Sequence, residues 1–532
     1  MLFMVAGMFI ACANEDITQE DKKNEAPKGG VIFATNESKV MAKPQTINNE
    51  NGVAGAKTRT TIVHTPGNGA DAYWNEDDFI WVEKHDGSWV KSSHIELHDG
   101  GASAEFTLPG SKSDYDDGCR VHYTGSQTSY IGAYVFSIDA SHIGIPNNQT
   151  RTKANDFSKA GEWGDCGSGR AHNTGNPVKY NFTLAHKPAY LCFLPRCENA
   201  PLSRNIRLTS INIKETKDYH VPSGFIADYC GFNGEDIVSS AGSPVGQNQI
   251  KVALPNFSLD TKANQALNAT NLVVRPSTYD LKIEYFIEDP TTNLKTTITD
   301  YTTKQILDKG NIYDITANLI PNKYYMWDAK QDFWSGHLKP EGTPDGNYAW
   351  NGIDPRWHNE IDVAATQSCK DCPNINEICW YFYKGDPHWA KGSFITAKDG
   401  HLQIVTMYGL WLKKKAAILR DNSEITSDRF TNSFPWNGVE HDWRTDDFPP
   451  YMDFSAPTLS SPPNTTDYFF LPALGCYIGD ELKDFNVYGY YWSSSTPSNN
   501  SGSSFPAIFG NNLLRIEPSY SRSYGFQARV FE

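Results

Sequence analysis

The sequence predicts a mainly β protein, two tandem β-sandwich subdomains followed by an α+β domain, and three observations carry that reading. Aromatic residues make up 13% of the 532 positions, with 27 Tyr and 27 Phe. Long leucine-rich periodic runs are absent, which favours sheets over helices. Short β-branched and aromatic runs recur between clusters of Gly, Asn, Asp and Ser, the spacing of a sandwich. Finally, Ala189-Tyr190-Leu191-Cys192-Phe193-Leu194 is continuously apolar. Leu191 and Phe193 fall on one side of its pleat and Tyr190, Cys192 and Leu194 on the other, as in a strand covered on both faces. Pro188 cannot donate to a ladder and so places a bend or bulge at its start.

Residues 1–12 are an apolar run closing on Ala11-Cys12. It is too short to cross a bilayer and reads as the core of a signal peptide. Its end resembles a lipobox, which makes Cys12 the expected lipidation site. The run lacks a positively charged start, so the true translation start is expected upstream. Acidic residues directly after Cys12 resemble the export signal that sends lipoproteins of some Gram-negative anaerobes to the outer leaflet. Residues 13–56 are polar and are expected to be a flexible tether. The first sandwich is expected over 57–195, with strands at 57–64, 77–82, 104–108 and 133–138. The second is expected over 196–320, with strands at 206–213, 272–276 and 281–286 and a closing one at 310–319.

Several of these pieces resemble the fimbrillin family, the type V pilus subunits and related outer-membrane lipoproteins. They are Thr58-Arg59-Thr60 before a turn, Trp74 followed by Asp77-Asp78-Phe79, the run Leu184-Ala185-His186-Lys187-Pro188-Ala189-Tyr190-Leu191, and Gly310-Asn311-Ile312-Tyr313. Pro188 departs from the family pattern. The resemblance implies assembly by strand complementation: a protease removes the N-terminal strand and a neighbour's strand fills the groove. Arg59 is the candidate processing position, set against the plainer reading of an exposed Arg opening a strand. The implied partners are other pilus subunits and a host or microbial surface ligand. The implied location is the outer membrane and fimbrium, with a lipid anchor as the membrane contact.

From residue 321 the composition changes, and ten of the 14 Trp lie beyond it. A helix is expected after Asn374, a plausible N-cap, ending before Gly385. Three C-terminal pieces, Leu471-Pro472, Gly489-Tyr490-Tyr491-Trp492-Ser493-Ser494-Ser495 and Arg522-Ser523-Tyr524-Gly525-Phe526-Gln527-Ala528-Arg529, closely resemble C-type-lectin-like modules related to formylglycine-generating enzymes. Ser495 stands where that family usually has Thr. Trp492 is expected to plug the small core, with Arg522 and Arg529 tying loops to backbone carbonyls. The run that coordinates calcium and sugar in animal lectins is absent, so the resemblance does not itself imply sugar binding. Trp436, Trp443 and Tyr451 are the candidate ligand contacts, against the alternative that both Trp fill a loop-rich core.

The net charge of -15 argues against nucleic acid as a partner, since no basic face is evident. Setting Cys12 aside leaves an odd number of cysteines, so at least one thiol is free. Cys192 and Cys197 could pair or be buried separately. Cys369, Cys372 and Cys379 admit zinc (with His358 or His388), a disulfide or free thiols; only one ligand pair is present, and no metal site is assigned. Asp114-Tyr115-Asp116-Asp117-Gly118 lacks the frame of a calcium loop and reads as an acidic turn. No phosphate loop or nucleophile elbow occurs, and no cofactor is implied. The expectation is a non-catalytic surface adhesion protein, a minor or tip pilus subunit, because a chain closing on a folded module has no strand to donate. The alternative is a surface-anchored glycan-binding lipoprotein that does not polymerise.

Overall fold

A computed structural model describes residues 30–35, 46–47, 61–67, 70–216, 225–239, 246–497 and 502–531. Strand Ala189–Arg196 is covered on both faces, as its unbroken apolar run requires. Ala189, Leu191 and Phe193 enter one core with Leu208, Ile211, Tyr279 and Ile283. Tyr190, Cys192 and Leu194 enter a second with Ala70, Ala72, Phe157 and Trp163. Its sheet has the order 46–47, 312–318, 189–196, 270–274. A five-stranded sheet (148–150, 249–258, 207–215, 277–289, 294–307) contributes to the first of these cores. Pro188 falls in the break between the short strand Ala185–His186 and Ala189–Arg196.

The expected boundary at 195/196 cuts through this unit. Strand His142–Gly144 pairs with Tyr229–Phe232, and Asn148–Thr150 pairs in parallel with Gln249–Ser258. The second sandwich therefore takes strands from both sides of the boundary. Such pairings join residues about a hundred positions apart, and local patterning carries no signal for them.

The first sheet has nine strands, in the order 89–91, 81–83, 119–123, 167–173, 179–182, 31–35, 103–108, 94–98, with 185–186 pairing separately to 167–173. Val31–Thr35 lies inside the stretch read as a tether, and the structure corrects that reading for these residues. Another expected strand is shorter: residues 75–78 form a turn in which the Asn75 amide donates to Asp78 Oδ2 (2.7 Å), and the strand is only Trp81–Glu83. Phe79 and Ile80 are nevertheless buried.

In the C-terminal region helix Ile375–Lys384 begins at Asn374, whose side chain accepts from the Glu377 amide while Glu377 accepts from the Asn374 amide. This reciprocal cap satisfies two amides the helix leaves orphaned. The Gly385 amide closes the other end on the Tyr381 carbonyl (3.0 Å). Ile375, Ile378, Cys379 and Phe382 face a core shared with Leu410, Leu412 and Leu471 of the sheet 388–398, 401–413, 468–472. A six-stranded sheet (324–325, 526–527, 489–492, 506–510, 513–516, 452–453) completes the region. Trp492 is fully buried, stacks on Phe526 at 4.2 Å and donates from Nε1 to the Tyr325 carbonyl (2.7 Å). Arg522 is also buried and donates to the carbonyls of Ser503, Asn359 and Asp362 while lying over Trp327. Arg529, by contrast, is exposed.

His122 joins the first sheet to the second unit. Its ring contacts Trp89 at 4.2 Å and Phe232 at 4.8 Å, and Nδ1 donates to the Ala140 carbonyl (2.7 Å). Burial holds its pKa below the usual imidazole value; the Ala140 carbonyl opposes this and the Arg120 guanidinium reinforces it. Since the folded pKa is depressed, the stability present above about pH 6.5 is lost as pH falls and the unfolded chain takes up the proton first. Denaturant midpoints measured from pH 7.5 to 5 are expected to fall, and His122→Gln is expected to flatten part of that slope.

Candidate functional site

The feature of the first sheet that points to function is the way strand Val31–Thr35 fills it. It pairs in parallel with Lys179–Phe182 on one side and antiparallel with Ser103–Leu108 on the other. The strand thus has no free edge. Val31, Phe33, Ala34 and Thr35 are buried. Phe33 stacks on Tyr180 at 5.0 Å and meets Tyr115 edge-on at 5.2 Å. The Ile32 amide donates to the Val178 carbonyl (2.8 Å), and Thr35 Oγ1 accepts from the Ala104 amide (3.0 Å). At the entry, a Cβ on Gly30 would lie 2.7 Å from Thr107 Cγ2 and 2.9 Å from the Leu108 carbonyl, so this close approach requires glycine.

Taken without this strand, the sheet is a groove. Its floor is Tyr180, Phe182, Phe106 and Leu108, and its two walls are rows of backbone donors and acceptors. Such a groove binds an extended chain by main-chain hydrogen bonds and selects alternate side chains by pockets. Burying a Val or Phe side chain contributes about 1.5–3 kcal/mol, and the occupant here supplies one of each. The same segment reaches a second sheet: Thr46 and Ile47 pair with Asp314 and Ile315 at the edge of the four-stranded sheet.

A separate cleft of about 1200 Å³ lies between the second unit and the C-terminal region. Threonines of Leu294–Leu307 line one wall; Phe394, Tyr468 and Phe470 line another. On its floor burial opposes the Lys323 ammonium, but Asp300 (3.7 Å), Tyr325 and Asp332 hold its pKa above the usual lysine value. Burial raises the Tyr301 phenol, and Asp371 raises it further. The buried charge of Lys323 is therefore paired, while Lys330, Lys414 and Arg529 line the cleft as exposed cations.

Among the sequence candidates, Cys12 and Arg59 lie outside the described residues. Trp443 is 3% exposed and covered by His441, which stacks on it at 4.2 Å. Its ring belongs to the core and is not offered to a ligand. Trp436 is half-buried against the same core. Tyr451 is exposed, with the Arg515 guanidinium over its ring at 4.8 Å. The three do not form one exposed aromatic platform.

All nine described cysteines are free and buried. Cys369 and Cys372 share one core, while Cys379 sits in another beside Met452. Cys192 and Cys197 likewise occupy different cores. Burial pushes the thiols of Cys119, Cys197, Cys230 and Cys476 up to about 12, which suits packing and not nucleophilic chemistry. In the acidic turn Asp114 caps Ser111, Asp116 meets His85 and Asp117 accepts from the Asn173 amide.

Two constellations escaped the sequence reading. The buried His186 Nδ1 lies 2.8 Å from Asp165 Oδ1, which also accepts from the Tyr190 hydroxyl (2.5 Å). His64, Cys192 and Asp314 also converge. The signal available for the second was a single acidic residue interrupting the apolar run Ile312-Tyr313-Asp314-Ile315.

No family model matches the chain, and no curated protein matches it. Among solved structures it is similar to a "putative cell adhesion protein" of Bacteroides ovatus ATCC 8483 at 14% identity, covering 55% of this chain and 92% of that one with a TM-score of 0.29. A second "putative cell adhesion protein", from Bacteroides fragilis NCTC 9343, has 10% identity, covers 54% and 92%, and has a TM-score of 0.28. A fimbrial protein of Bacteroides ovatus ATCC 8483 has 10% identity, covers 93% and 99%, and has a TM-score of 0.23. With TM-scores this far below 0.5, the likeness fixes neither fold nor function.

Proposed function

We propose that this is a non-catalytic cell-surface adhesion protein, anchored through a lipid on Cys12 until it is processed and then assembled into a pilus by strand complementation. The observation that supports this most is the interior position of Val31–Thr35. In this reading a cut after Arg59 releases both the 31–35 strand and the 46–47 pairing. The opened groove then accepts a strand from a neighbouring subunit. The C-terminal region, which resembles a lectin-like module, serves as the head that contacts a surface ligand. Its strand Phe526–Gln527 is already paired with Tyr324–Tyr325 and with Tyr491, which favours an accepting tip or minor subunit over a donating one.

Trimming the chain after Arg59 and adding a labelled peptide of residues 29–37 tests this. Anisotropy is expected to rise saturably, with thermal stability recovered, and a Phe33→Asp peptide is expected not to bind. A trimmed protein that never takes up a peptide would overturn the assembly reading. In the intact chain, Phe33→Ala is expected to lower stability by about 3–5 kcal/mol, measured by denaturant unfolding.

A second reading is a surface-anchored glycan-binding lipoprotein that does not polymerise. It is favoured by the size of the cleft and by its mix of hydroxyls and aromatic side chains. On a glycan array, this reading expects binding that Phe470→Ala weakens at least tenfold and Trp436→Ala leaves unchanged. Equal loss from both variants would place the ligand elsewhere.

A further inference from the structure

A cluster on the face of the four-stranded sheet that carries Tyr190 and Leu194 lies apart from the floor of the groove and from the cleft. Cys192 and Asp314 are register partners on adjacent parallel strands, so their side chains leave the sheet at neighbouring positions. The hairpin of Thr61–His64 and Ala70–Tyr73 packs on this face through Ala70 and Ala72, and brings His64 down onto the pair. His64 Nε2 lies 2.7 Å from Asp314 Oδ1, and all three ligand atoms lie within 4.8 Å of one another. His64 and Cys192 are buried, and the Asp314 side chain is 15% exposed.

We propose that His64, Cys192 and Asp314 bind a zinc ion that fastens the 61–73 hairpin to the central sheet. The donor set is an imidazole, a thiolate and a carboxylate, which suits zinc and argues against calcium or magnesium. Metal–ligand lengths of about 2.0–2.3 Å in a tetrahedral site place ligand atoms roughly 3.3–3.6 Å apart. The imidazole and carboxylate, 2.7 Å apart, need open by less than about 1 Å to reach that spacing. A divalent ion balances one thiolate and one carboxylate, so the site buries no net charge. The Cys192 proton leaves to solvent on binding. The other Asp314 oxygen, Oδ2, accepts from the Gly67 amide (2.9 Å), an outer hydrogen bond of the kind that orients a ligating carboxylate. The His64 carbonyl accepts from Gln265 Nε2, which holds the end of the hairpin strand in place. Three protein ligands leave a fourth position for water or a further donor.

Cobalt titration of the chelator-treated full chain tests the assignment. The expected result is one equivalent bound, with tetrahedral visible bands and a thiolate charge-transfer band, all displaced by zinc. Cys192→Ser is expected to abolish the charge-transfer band, whereas Cys379→Ser keeps it. His64→Gln and Asp314→Asn are each expected to weaken zinc at least tenfold by competition with a chromophoric chelator. Asp314→Asn keeps the shape of the native side chain, so it reports even if Cys192→Ser fails to fold. A thiolate band that survives Cys192→Ser would place the metal on another thiol, and zinc affinity unchanged in the other two variants would leave a hydrogen-bonded cluster; either result overturns the proposal.

Discussion

The fold depends on one strand having no solvent face. Ala189–Arg196 separates two cores, and its neighbours on both sides come from distant parts of the chain: 270–274 and 312–318. A strand of this kind cannot slip by one residue without exchanging every side chain between two differently shaped cores. Its register is therefore fixed from both sides at once. That rigidity holds Cys192 beside Asp314, and it gives the hairpin at 61–73 a fixed surface to rest on.

Much of this frame was legible from the residues. The alternation at 189–194 assigned the two faces correctly, because a doubly covered strand leaves no other place for Tyr190 and Leu191 to go. Asn374 and Gly385 marked the ends of helix Ile375–Lys384, the longest among the described residues, since caps are local chemistry. The structural roles of Trp492 and Arg522 were expected with the resemblance of their stretches to lectin-like modules, and both side chains are buried and bonded to carbonyls. What escaped was non-local. Val31–Thr35 sits within a polar stretch, and five residues between glycines and an asparagine cannot announce that a groove awaits them. The boundary near 195 failed for the same reason, as did the convergence of His64 with two residues far away in sequence. Trp443, in a loop rich in Pro and Asp, was open to two readings, a ligand contact or core filling; the fold turns it inward beneath His441, which is the second of them.

Charge is handled differently in the two places where a partner could bind. The groove is apolar on its floor and hydrogen-bonding on its walls, which favours any extended chain carrying alternate apolar residues. The cleft is polar, and its buried lysine is held by aspartates. A ligand there would meet hydroxyls, ring edges and the exposed cations Lys330, Lys414 and Arg529. In the proposed readings the first surface would recognise backbone and the second shape, so the two would act without competing.

The interior position of Val31–Thr35 also has a mechanical side. A load entering from upstream of Val31 would run along the strand axis, and the hydrogen bonds to 179–182 and 103–108 would resist in shear together. Peeling, in which bonds break one after another, would need a force across the sheet. A molecule tethered at that end to a moving surface would thus be gripped most firmly in the direction from which it is pulled.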